Sequence, residues 1–183
     1  MLTKIFGVVV LSLLVVFAFL GCGTTTPEKV DEKVTAEKAE EAAETETSAA
    51  AVFAIGDTVK MGDLAITLNS VRWDEGTEMI QPIEGEKWLV FDVTLENAGD
   101  EPEMISSMLM FALYDKEGYK KGYQLMANTK GSLDAELGPG RKLRGEIAFV
   151  VEEGEDAWDF IFEPNILGFG QAIYSIGLGE VQE

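Results

Sequence analysis

The sequence predicts an all-β chain, a β-sandwich preceded by a secretory signal peptide and a disordered, acidic linker. Three observations point there. Beyond residue 52, large apolar residues alternate with polar or small ones, the period of a half-buried strand. Gly, Pro, Asn and Asp cluster between these runs, where turns need them. Before residue 52 lies an apolar run, then a stretch without an aromatic residue.

The leader opens with Lys4 and an apolar run at residues 5–20, followed by the small residues Gly21 and Gly23. A basic start, an apolar centre and a small-residue cleavage site are the layout of a secretory signal. The run falls short of the roughly 20 residues of a bilayer-spanning helix; an uncleaved membrane helix is the alternative. Leu20-Gly21-Cys22 resembles the lipobox of bacterial lipoproteins, with Phe19 where leucine is usual. The resemblance implies that Cys22, the only cysteine, carries a diacylglyceryl group and becomes the mature N-terminus. Two acyl chains anchor stably where one does not, so the cell membrane is an expected partner through that lipid. The predicted units are a signal peptide at 1–21, the lipidated cysteine with its linker at 22–52, and the sandwich at 53–183.

The linker is rich in Thr, Ala, Glu and Lys, and Val30 and Val34 form no sustained apolar stripe. Such a segment buries too little to offset its ordering entropy. As a flexible chain of about thirty residues it reaches ~30 Å and holds the fold off the membrane. Its acid excess repels anionic headgroups.

The strands follow in order. Leu64, Ile66 and Leu68 alternate, then the phase changes around Asn69-Ser70, as one extra residue in a β-bulge would make it. Leu89, Phe91, Val93 and Leu95 form the second run, and Leu109, Phe111 and Leu113 the third. Ile147, Phe149 and Val151 form the fourth, and Trp158, Phe160 and Phe162 the fifth. Turn signals separate them at 97–102, 115–118, 138–140 and 153–156.

Four blocks carry a family resemblance: "IGDTVKMGDLAITLNSVR" (55–72), "GEKWLVFDVTLENAGDEP" (85–102), "FALYDKEG" (111–118) and "ELGPGRKLRGEIAFVV" (136–151). In this order and spacing they resemble a bacterial and archaeal family of immunoglobulin-like domains of unknown function. That family is often carried on lipoproteins and is related to a secreted mycobacterial immunogenic antigen. The resemblance implies an immunoglobulin-like β-sandwich outside the cytoplasm. It brings no reaction, ligand or site residue.

Composition narrows the function. The chain has no histidine, which removes the usual Ser-His-Asp and Cys-His systems and the commonest transition-metal ligand. No phosphate-binding loop is present. A net charge of −19 argues against nucleic acid, which needs clustered Lys and Arg. No enzyme activity and no cofactor are expected.

Three stretches could bind something. "EEGEDAWD" (152–159) offers Glu152, Glu153, Glu155 and Asp156 to Ca²⁺, which takes six to eight oxygens; a solvated turn is the simpler reading. In "EMISSMLMFALY" (103–114) an extended strand would put Met104, Met108 and Met110 on one face, with Leu109, Phe111 and Leu113 on the other. Thioethers suit Cu(I), or an adaptable protein contact, or plain gap-filling. Of the three tryptophans, Trp88 opens a strand and reads as core. Trp73, Asp74, Glu75 and Ile80 lie at and in a long loop, "DEGTEMIQPIEGE" (74–86), and loops at a sandwich end are where recognition sits. The expectation is a lipid-anchored extracytoplasmic module that displays its loops to an envelope protein or surface partner. The alternative is an extracytoplasmic Cu(I)- or Ca²⁺-binding protein.

Overall fold

The computed structural model describes residues 28–29, 51–164 and 170–183. The expected signal peptide, Cys22 and most of the expected linker lie outside the described residues. The strands are β1 Glu28–Lys29, β2 Val52–Phe53, β3 Thr58–Met61, β4 Leu64–Asp74, β5 Glu86–Asn97 and β6 Glu103–Ile105. One helical turn, α1 Ser107–Met110, follows. Then come β7 Phe111–Asp115, β8 Ala135–Leu137, β9 Lys142–Glu152, β10 Ala157–Phe162, β11 Ala172–Gly177 and β12 Val181–Gln182.

The first sheet has the order β1-β3-β4-β5-β9, with β12 alongside β4 beyond the end of β3. The second has the order β2-β11-β10-β7, and β6 and β8 form a separate pair. All pairings are antiparallel except β2 with β11 and β12 with β4. β1, from the stretch expected to be linker, pairs with the edge strand β3.

The alternation read from the sequence is what lets the sheets stack. Ile66, Leu68, Leu89, Phe91, Val93 and Leu95 turn inward from the first sheet and are fully buried. Phe160, Phe162, Leu113 and Tyr174 meet them from the second. Phe91 stacks on Phe160 with centroids 4.5 Å apart, and Phe149 meets Phe160 edge-on. The buried Tyr174 hydroxyl donates to the Ile66 or Asp57 carbonyl, each at 3.1 Å, and so bonds one sheet to the other. Burial pushes its pKa well up, so it stays a neutral donor.

The bulge falls where the phase change put it, between Leu68 and Ser70. The extra residue returns Val71 to the core, and the Asn69 side chain pins the bulge through Asp92 (3.0 Å) and Thr94 (2.9 Å). The 97–102 turn is fastened from inside. Buried Asn97 donates from Nδ2 to the carbonyls of Glu101 (2.7 Å) and Leu137 (2.8 Å), and its Oδ1 accepts the Gly99 N–H (2.9 Å).

One sequence expectation fails. The stretch 103–114 is not a single strand, because β6 ends at Ile105 and α1 intervenes before β7. Met104 and Met108 point to solvent while Met110 packs against the core, so the three methionines share no face. Leu109, expected inward, is 65% exposed. The cause is distant in sequence. Asp134 accepts both the N–H and the hydroxyl of Ser107 at 2.8 Å, and the Tyr123 hydroxyl donates to the Ser107 carbonyl. These bonds hold the turn that the local pattern does not announce.

Candidate functional site

Register places several loops at one end of the sandwich. Asp74, at the end of β4, lies beside Trp88 near the start of β5, and Trp88 beside Val150 near the end of β9. In the other sheet Asp115 lies beside Trp158. Residues 75–85, 116–122 and 153–156 therefore gather there.

Loop 75–85 is the one singled out from the sequence, and its four candidates divide. Trp73 faces the core, half-buried, with its ring edge-on to Trp158 at 6.0 Å and the Lys87 ammonium 5.3 Å from its centroid. Asp74 is buried, and its Oδ2 accepts the Asn128 N–H at 2.7 Å. These two position the loop and do not offer themselves to a partner. Glu75 and Ile80 are exposed. Met79 and Ile83 are more exposed still, at 93% and 67%.

The loop is seated on the outer face of the first sheet. Gly76 adopts φ +77°, and a Cβ there would lie 2.2 Å from the Ile80 carbonyl oxygen and 2.9 Å from the Trp88 ring. Only glycine fits. Trp88, Val90 and Ala148 are buried, yet they lie on the face opposite the main core. A second loop reaches the same face. The Gln124 N–H donates to the Ala148 carbonyl and the Glu146 N–H to the Lys130 carbonyl, both at 2.8 Å, so the chain runs along β9. Between these points it crosses the sheet, where Arg72 donates to the Asn128 carbonyl at 2.8 Å. Leu125 and Met126 stand exposed on it, at 74% and 60%. The two loops meet at Asp74. Proximity of 124–129 to 75–85 depends on the Asn128 bond and has no local signal, so sequence reasoning missed Leu125 and Met126.

A cleft of about 920 Å³ opens at this same end, lined by residues 115–117, 119–122 and 150–157 together with Glu86. It holds the carboxylates considered for Ca²⁺, but lysines occupy two of them. Lys121, nearly buried, pairs with Asp115 at 2.8 Å and closely with Glu155. Lys116 pairs with Asp156 at 2.9 Å. Glu155 also accepts the Trp158 indole N–H at 2.8 Å. Glu152 and Glu153 are exposed. Among the described residues no three Asp, Glu, His or Cys side chains converge as a metal site.

These pairs set the pH response. The hydrogen bond from Lys121 holds the Asp115 carboxyl below its ordinary 3.8, and Arg144 does the same for Asp92. A carboxyl depressed in the fold stabilises it above the unfolded value of about 3.9, and that stability is lost as pH falls through the folded value. Burial alone would lower the Lys121 pKa, but its two carboxylates outweigh burial and raise it. Its contribution is present below about 10.4 and is lost as pH rises through the folded value. With no histidine to titrate between, the urea midpoint is expected to stay level from about pH 5 to 9 and to fall below about pH 4. Lys121→Met should shrink the acid limb. A midpoint that slopes through neutral pH contradicts this assignment.

With this geometry the sequence can be placed. The chain belongs to the family described as Domain of unknown function (DUF4352). The match covers residues 53–173. No curated protein matches it in sequence. Among solved structures, the "putative lipoprotein (ycdA)" of Bacillus subtilis is 16% identical with a TM-score of 0.52, covering 63% of this chain and 37% of that one. The present chain thus spans well under half of that relative. The yjhA protein of Bacillus subtilis is 19% identical with a TM-score of 0.51, covering 67% of this chain and 97% of that one. The secreted protein MPT63 of Mycobacterium tuberculosis is 13% identical with a TM-score of 0.48, covering 69% and 96%. The family and the first two likenesses agree with the β-sandwich, as the four sequence blocks implied.

Proposed function

We propose that this member of the family is a lipid-anchored, extracytoplasmic interaction module that engages an envelope protein through loops 75–85 and 124–129. The observation that carries the reading is the pair of loops, joined at Asp74, that raise Met79, Ile80, Ile83, Leu125 and Met126 into solvent. Apolar groups concentrated on loops over a rigid sheet mark interaction surfaces more often than stability devices. The lipobox-like Leu20-Gly21-Cys22 supports the anchor, and the description of ycdA as a "putative lipoprotein" supports the compartment. The charge of −19 and the lack of histidine favour neither nucleic acid nor a common catalytic system.

The test uses intact cells. A photo-cross-linker at Ile83 is expected to capture one envelope protein, while the same group at exposed Glu136 on β8 captures none. In the same preparation the N-terminal peptide should begin at Cys22 and carry a diacylglyceryl mass. Equal or absent labelling from both positions removes the docking reading. A peptide beginning near Met1 with unmodified Cys22 removes the lipid anchor.

A further inference from the structure

We infer that the partner presents a basic, apolar-anchored segment, an amphipathic stretch whose Lys or Arg residues flank the apolar side chains that meet Met79, Ile80 and Ile83. This rests on the docking reading above and names the chemistry of its partner. Loop 75–85 with the first residue of β5 carries four ionisable groups, Glu75, Glu78, Glu84 and Glu86, all acidic. Among the described residues none of the four is in an ion pair. Two cations beside the loop are already engaged. Arg72 is held by Glu146 at 2.8 Å and reaches the Asn128 carbonyl, while Lys87 lies over Trp73. The apolar tips of loop 75–85 thus sit among carboxylates of one sign that, among the described residues, no cation pairs with.

Complementarity then selects the occupant. Opposite charge around an apolar centre steers association and rejects like-charged competitors. An anionic bilayer would offer apolar depth, but its surface potential opposes these glutamates and the whole acidic chain. A basic amphipathic segment supplies both halves. Two methionines in the surface, Met79 and Met126, let it adapt to the segment it meets.

A synthetic Leu/Lys amphipathic peptide, titrated against the full chain in detergent, tests the inference. It should bind, and its Leu/Glu counterpart should not. The double variant Glu78→Lys/Glu84→Lys should weaken binding about tenfold or more, as should Met79→Ser/Ile83→Ser. Glu101→Lys/Glu136→Lys makes the same change in net charge on exposed residues away from these loops, and should leave affinity within about twofold. Equal loss from the two charge-reversed pairs would mean only general attraction to an acidic protein, and overturns the inference. So would binding of the Leu/Glu peptide, or tighter binding to anionic vesicles than to the peptide. In cells, an Ile83 cross-link that persists in Glu78→Lys/Glu84→Lys leaves the docking surface standing and removes the basic partner.

Discussion

Phe160→Ala is expected to lower the unfolding free energy by about 4 kcal/mol, the range for deleting a buried phenylalanine. Phe160 has no exposed surface and touches aromatic rings on every side. Phe91 lies stacked at 4.5 Å, Phe111 at 5.7 Å, Phe149 at 6.3 Å and Tyr174 at 6.4 Å. Two of these belong to the opposite sheet, so the hole would open between the layers. Phe160→Leu keeps most of the volume and should cost under about 2 kcal/mol. Urea midpoints at constant slope measure both. A loss in Phe160→Ala no larger than in Phe160→Leu would mean that the sheets are held elsewhere.

Asn97 is the second position where a single change should be severe. Asn97→Ala strands three backbone groups, the Glu101 and Leu137 carbonyls and the Gly99 N–H, at the buried end of the first sheet. A cost of about 3 kcal/mol follows from unpaired buried polar groups. Asn97→Asp keeps the shape but turns a carboxylate toward two carbonyl oxygens. Its folded pKa must rise, so its penalty is full above the folded pKa and shrinks as pH falls toward the unfolded one. Urea midpoints at about pH 7 and pH 4 should therefore converge on the wild type for Asn97→Asp and not for Asn97→Ala. Parallel behaviour of the two variants would show that the side chain donates no hydrogen bond that matters.

The period-two pattern carried most of the fold. Leu89 to Leu95 and Trp158 to Phe162 read as strands and are strands, and the missing beat at Asn69 read as a bulge and is one. What escaped was set by contacts far apart in sequence. The helical turn at Ser107 depends on Asp134 and Tyr123, and β12 is too short to show a period at all. β11 does alternate, with Ala172, Tyr174 and Ile176 buried, and its pattern was available. The site was half legible. The length and turn chemistry of 75–85 marked the loop, but alternation could not tell that Trp73 packs on the core while Asp74, on the opposite face, is buried beneath the second loop. Nor could it bring Leu125 within reach, because that depends on one backbone N–H meeting Asp74.

The placement of β12 bears on how this chain can be made. Val181 and Gln182 align with Val71 and Arg72, more than a hundred positions earlier, and β11 aligns with Val52 and Phe53. A polypeptide emerging N-terminus first, from a ribosome or through a translocon, must deliver residue 174 before β2 gains its neighbour. It must deliver residue 182 before β4 is paired along its whole length. Until then the flank of β4 at Val71 and Arg72 is an open edge, and such edges invite pairing with other chains. Closure of the sandwich is thus late, as in long-range β topologies. An exported precursor of this design could not close its sandwich until almost the whole of it had crossed.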